Sequence, residues 1–146
     1  MEEINRMIIS MLARDGRMSF TELAKVTGLS VSAAQQRVRR LEQRGVIKGY
    51  AALVDPDQAG LPLTAFISIK PFDAAAADDA PERLAHLPAI EACHSVAGEE
   101  SYILKVRVAS PVALEDLLQQ IRAAANVSTR TTIVLSTPFE NRAPDI

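Results

Sequence analysis

The stretch from Ser30 to Tyr50, SVSAAQQRVRRLEQRGVIKGY, restricts the fold of this chain more than any other. Val31, Ala34, Val38 and Leu41 follow one another at three- and four-residue steps, which puts them on one stripe of an α-helix. On the opposite side stand Ser32, Ala33, Gln36, Arg40 and Gln43, with Arg37, Arg39 and Arg44 on the flanks. Gly45 then stops the helix. One face must therefore pack on other helices, while the other, basic and amide-rich, is left to solvent or to a polyanion. Arg and Gln can hydrogen-bond base edges and phosphates when such a helix lies in the major groove of DNA. Alone, the face fits a DNA reader or a solvated surface helix.

The upstream sequence favours the reader. Ser19 and Glu22 have the spacing of a capping box, so a helix starts at Phe20 with Phe20, Leu23 and Ala24 on its buried side. Thr27-Gly28-Leu29-Ser30 follows: a glycine to turn the chain, a leucine to fill the space between helices, and Ser30 as the next N-cap. Two short helices across a glycine turn, the second one basic, make a helix-turn-helix pattern. Glu2–Ala13, with Ile4, Ile8, Met11 and Leu12 at helical spacing, supplies a third helix to cover them. In this arrangement Ser32, Ala33, Gln36 and Arg40 face base edges, because the N-terminal part of a recognition helix enters deepest. Arg37, Arg39 and Arg44 then face phosphates, with Ser30 at the helix start and Lys48 close to the DNA backbone.

Charge is distributed to match. The net charge is −2, which argues against an indiscriminate polyanion binder, but residues 1–60 hold nine Lys/Arg against seven Asp/Glu. Residues 61–146 hold seven against eleven, so the second half should stay off the phosphates. No apolar run is long enough to span a bilayer, and the acidic amphipathic start does not resemble a secretion signal. The single Cys93 forms no internal disulfide and suits a reducing compartment. The expected location is the cytoplasm, at the nucleoid.

The period changes along the chain. Val46–Val54 reads as a strand, or a short hairpin with Gly49 near its turn, and Asp55–Gly60 is a cluster of turn residues. Thr64–Lys70 alternates as a strand, and alanine-rich Asp73–Leu87 reads as a helix ending before Pro88. Ile90–Val96 and Tyr102–Val108 are strands. Pro111 opens an amphipathic helix carrying Leu114, Leu117, Leu118 and Ile121, and Val127–Ser136 is the last strand. This βαββαβ order is ferredoxin-like, with both helices on one face of an antiparallel sheet. Phe66, Tyr102, Ile103 and Val134 are candidates for the other face, which a second copy of the chain would cover. Two-fold symmetry also suits binding to two DNA half-sites.

These residues together resemble the Lrp/AsnC family, the leucine- and asparagine-responsive transcriptional regulators of bacteria and archaea. The resemblance runs through Asp15-Gly16-Arg17-Met18-Ser19, Glu22-Leu23-Ala24, Gly28-Leu29-Ser30, Arg37-Val38, Leu41-Glu42 and Gly45-Val46-Ile47-Lys48-Gly49-Tyr50, and more loosely through the second half. It implies an α+β fold: a winged helix-turn-helix domain at 1–54, a linker at 55–62, and a βαββαβ effector-binding and oligomerisation domain at 63–146. It implies double-stranded DNA as partner, homodimers assembling to tetramers or octamers, and an amino acid or similar metabolite bound in clefts between dimers.

The family's effector loop usually reads Gly-Asp-x-Asp, whereas this chain has Gly98-Glu99-Glu100-Ser101. A carboxylate is the natural partner of a ligand ammonium group. With serine in the last position, Glu100 substitutes, the ligand differs, or the cleft binds nothing. Thr129, Thr131 and Thr132 line the same cleft by analogy, although alternating threonines are also good strand formers. Catalysis finds no support. Cys93 and His94 are strand neighbours facing opposite ways, and His86 lies in another element. No spacing matches a metal site or a phosphate-binding loop, so no catalytic residue, metal or cofactor is expected. Two alternatives remain: a sirohaem-decarboxylase-like enzyme of similar architecture, and a ligand-sensing module without DNA. The retained arginines count against both.

Overall fold

The computed structural model describes residues 1–146, which fall into two compact units. The first joins Met1–Leu53 to Pro138–Ile146, and the second spans Val54–Thr137. Residues 138–146, expected with the second domain, thus group with the first. Pro138 and Pro144 lack the N–H that continued strand pairing would need, and Pro144 and Ile146 line a groove beside Ile9 and Leu12.

The first unit is three helices: α1 (Glu3–Arg14), α2 (Phe20–Thr27) and α3 (Val31–Gln43). The capping box at α2 forms as the spacing requires. The Glu22 amide donates to Ser19 Oγ at 3.1 Å, and the Ser19 amide donates to Glu22 Oε2 at 2.8 Å. Gly28 takes φ 74°, the left-handed conformation that closes a helix and that side-chain-bearing residues avoid. Ser30 caps α3 by accepting from the Ala33 amide at 3.1 Å. The shared core is Ile8, Leu23, Ala24, Ala34, Val38 and Leu41, with Ile4, Met11, Leu12 and Leu29 packed around it. Two expected core residues, Phe20 and Val31, instead lie at the first helical positions of α2 and α3 and are 36% and 46% exposed.

No strand forms over Val46–Val54. The amides of Val46 and Ile47 both donate to the Leu41 carbonyl, which closes the end of α3, and Tyr50, Leu53 and Val54 then run exposed. The apolar alternation is present, but a strand exists only when a second one takes its hydrogen bonds, and this unit contains no other.

The second unit contains β1 (Leu63–Pro71), α4 (Ala80–Leu84), β2 (Ile90–Ser95), β3 (Tyr102–Val108), α5 (Pro111–Ala125) and β4 (Val127–Ile133). The sheet order is β2-β3-β1-β4 and every pairing is antiparallel. Its core face carries Ala65, Ile67 and Ile69 of β1 and Leu104, Val106 and Val108 of β3, packed with Leu114, Leu117 and Ile121 of α5. The helix expected over Asp73–Leu87 is confined to Ala80–Leu84 because Pro81 falls inside it. Proline donates no amide and crowds the carbonyl four residues back, so it is accommodated only in a first turn. Asp73 holds the preceding residues in a turn instead, accepting from the Ala75 amide at 2.9 Å.

Tyr102 also departs from expectation. It pairs with Ile69 and is buried among the core residues, while Phe66, Ser68 and Ile103 occupy the opposite face. On that face Arg107 ties three strands together, donating from Nε to Glu91 Oε1 at 2.9 Å and from Nη1 to Thr64 Oγ1 at 3.1 Å. Ile67 is fully buried at the centre of the sheet. Ile67→Ala should lower unfolding free energy by about 2–5 kcal/mol, measured as a reduced urea midpoint at unchanged slope.

Candidate nucleic-acid interface and effector region

The outward face of α3 is set by what its inward face buries. Ala34, Val38 and Leu41 are at most 2% exposed, and this fixes the rotation of the helix about its axis. Ser32, Gln36, Arg39, Arg40 and Gln43 are then exposed, with Ala33 half-buried beside them. Ser30 and Ser32 lie together at the helix N-terminus, their hydroxyls 3.3 Å apart. There the free amide groups favour an approaching anion. Arg44 and Lys48 are exposed beyond the helix end. Eight of the nine residues assigned to DNA are therefore presented outward or bordering that face.

Arg37 is the exception. Its Nη1 lies 2.9 Å from Glu2 Oε1 and donates to Asn5 Oδ1 at 3.3 Å, and its side chain is only 26% exposed. Its charge is matched by the start of α1 rather than left for a phosphate. Sequence spacing shows the basic flank but not these partners, of which Asn5 stands 32 residues away.

The residues expected around an effector do not converge. The loop after β2 is closed by the Val96 amide donating to the Ser101 carbonyl and the Ser101 amide donating to the Ile69 carbonyl. Glu100 Oε1 lies 2.6 Å from Arg130 Nη2, so its carboxylate is already matched. Gly98 and Glu99 are exposed, and open space surrounds the position a Gly98 side chain would take. Thr129 and Thr131 pair with Ile69 and Ile67 and so lie on the helix-covered face, where Thr129 Oγ1 accepts from Arg122 Nη1 at 3.2 Å. Thr132 pairs with Phe66 on the opposite face.

Ser101 borders a cavity. It has a volume of about 360 Å³ and lies between Ile69 and Pro71, the Ala74–Ala80 segment, the start of β3, and the junction of α5 with β4. Across it, Tyr102 Oη donates to Asp78 Oδ1 at 2.7 Å. That bond, then burial and the neighbouring carboxylate charge, hold the phenol protonated and push its pKa up to about 12. Asp79 accepts from Arg83 Nε at 2.8 Å. Asp78, Asp79 and Arg83 escaped the reading of the sequence because they were assigned to a continuous helix. Elsewhere, burial and then Glu82 push the Cys93 thiol up, away from the thiolate a nucleophile requires.

Comparison with known proteins agrees with this architecture. A family described as winged helix-turn-helix DNA-binding matches residues 1–48, and one described as Lrp/AsnC ligand binding domain matches residues 64–144. The HTH-type transcriptional regulator LrpA of Mycobacterium tuberculosis is 56% identical over 97% of this chain and 95% of its own length. The leucine-responsive regulatory protein of Escherichia coli K12 is 36% identical over 92% of this chain and 85% of its own. A solved structure of the feast or famine regulatory protein from M. tuberculosis complexed with L-methionine superposes with a TM-score of 0.95 at 55% identity. It covers 98% of this chain and 99% of that one.

The Arg37 contacts give a prediction that separates it from its neighbours. Arg37→Ala should lower the stability of the helical unit by roughly 0.5–2 kcal/mol, in the range of a partly exposed charge-assisted bond. Arg39→Ala should leave the thermal midpoint within a degree or so, since surface changes away from such contacts are small. Circular dichroism melts of the two variants check this.

Proposed function

Because the chain belongs to the Lrp/AsnC family of helix-turn-helix transcriptional regulators, we propose that it is a DNA switch set by a free amino acid. The observation that carries the DNA half is the bare, basic face of α3 beside a firmly buried one. Ser32, Ala33, Gln36 and Arg40 read base edges. Ser30, Arg39, Arg44 and Lys48 hold phosphates. Arg37 acts indirectly, by fixing α3 against α1.

Two copies present two such helices to two half-sites, joined through the second unit. The sheet face bearing Phe66 and Ile103 lacks a helix, and Phe66 is 38% exposed there. Dimers assemble further into tetramers or octamers. A relative solved with L-methionine supports an apolar amino acid as effector. The effector acts on how dimers are set relative to one another, which changes half-site spacing without remodelling α3.

The reading extends to a non-enzymatic role in the cytoplasm. Relatives are named as regulators. The Cys93 thiol is pushed up by burial and by the nearby Glu82 carboxylate, and it pairs opposite Leu104 while His94 pairs opposite Ile103, so the two point to opposite faces of the sheet.

Arg40→Ala should cost roughly 1–3 kcal/mol at the specific operator and relax preference at one base position. Equal weakening on every sequence would make Arg40 a phosphate contact only. Wild-type affinity should also fall steeply with salt as counterions are released, measured by fluorescence anisotropy between low and physiological salt. For the effector, thermal shift and light scattering with the free L-amino acids should show a raised midpoint and altered assembly for at least one of them. No change in midpoint, particle size or DNA affinity with any would reject amino-acid control.

A further inference from the structure

The helical unit is assembled from two stretches of chain, Met1–Leu53 and Pro138–Ile146, with the whole of the second unit between them. The returning stretch has a set conformation of its own. Asn141 takes φ 56°, and the Arg142 guanidinium stacks 3.8 Å from the centroid of the Phe139 ring. It lands on α1 away from the core that holds Ile8. Ile9, Leu12 and Ala13 bound one groove along α1, Arg6, Met7 and Ser10 bound another, and Ile146 lines both. Pro144 joins it in the first groove, which Val46, Ile47 and Tyr50 also line. Ile146 is 45% exposed, so more than half of its surface is covered. At the start of the same helix, Glu2 and Asn5 hold Arg37 of α3. The returning stretch therefore grips the helix that steadies the recognition helix.

Both chain crossings leave the second unit from neighbouring points. β1 and β4 pair antiparallel with Ala65 opposite Ile133, and the Val134 amide donates to the Thr64 carbonyl at 2.9 Å. The start of β1 and the end of β4 are thus side by side. Before β1, the chain is folded into turns in which the Ala59 amide donates to the Asp55 carbonyl and the Leu61 amide to the Pro56 carbonyl. After β4, residues 134–137 span at most about 14 Å when fully extended. One flexible linker would leave the helical unit free to swivel, whereas two short connections from adjacent points remove most of that freedom. We infer that Pro138–Ile146 is a strap, a second tether anchored on α1 by Pro144 and Ile146, which restricts reorientation of the helical unit and so sets the half-site spacing that two copies accept. The inference rests on the reading that two copies occupy two half-sites.

The test uses a duplex selected by the full-length wild type from a random-sequence pool. A second duplex has its half-sites moved apart by about 5 base pairs, half a helical turn. Fluorescence anisotropy is read at a temperature where circular dichroism shows every variant folded. The wild type should lose roughly tenfold or more in affinity on the respaced duplex, because the second helix no longer reaches its site. Ile146→Asp removes the apolar anchor, and a Gly/Ser insert between Leu135 and Ser136 slackens the tether while leaving the strap seated. Both should bind the two duplexes within about threefold of each other, with affinity for a duplex carrying one half-site unchanged. The insert should also leave the thermal midpoint unchanged, which separates slack from lost packing. Ile146→Val keeps the anchor and should keep the wild-type penalty. If Ile146→Asp does not fold, the insert decides. A wild-type penalty in the insert variant overturns the strap and leaves the two-copy reading standing. A wild type indifferent to spacing overturns both.

Discussion

Burial of Ala34, Val38 and Leu41 against Ile8 and Leu23 is the contact on which the outward surface of α3 depends. An α-helix has a single rotational setting once its apolar stripe is committed, so the polar side chains are aimed by residues that never meet a ligand. The two serine caps, the left-handed Gly28 and the Arg37–Glu2 pair then fix where the helix begins and how it leans. Few of these contacts are individually large. Together they keep the guanidinium and amide groups in place without any of them being drawn into the interior.

The second unit answers a different physical demand. A four-stranded antiparallel sheet with helices on one side leaves its other side to be covered or to be made polar. This chain does both in part. Arg107 ties Glu91 and Thr64 across neighbouring strands, while Phe66 and Ile103 keep an apolar character next to it. Such a mixture suits an interface in which apolar contact supplies affinity and the charged positions fix register.

Much of the architecture was legible wherever local spacing decides. The caps at Ser19 and Ser30, the three helices, the sheet strands and the long α5 follow from periodicity and from positions of serine, glycine and proline. The failures have physical causes. Val46–Val54 has the alternation of a strand, but alternation does not supply the partner that pairing requires. Tyr102 belongs to the covered face because β-strand register, rather than side-chain polarity, determines where it points. Arg37 is indistinguishable by spacing from Arg39 and Arg44, and only the fold brings Glu2 to it. The effector region was least legible, since Glu100, Ser101 and Thr129 are close in pattern yet turn to different partners.

Pro81 has a reach well beyond the short helix it begins. The seven residues before it, Ala74 to Ala80, include five alanines and would extend α4 toward its N-terminus if the ring did not stand in the way. They form instead an irregular rim, anchored by the Asp73 turn, with Asp78 turned onto Tyr102. The hollow beneath is thus a by-product of frustrated helicity. The outline of that hollow is decided by one pyrrolidine ring.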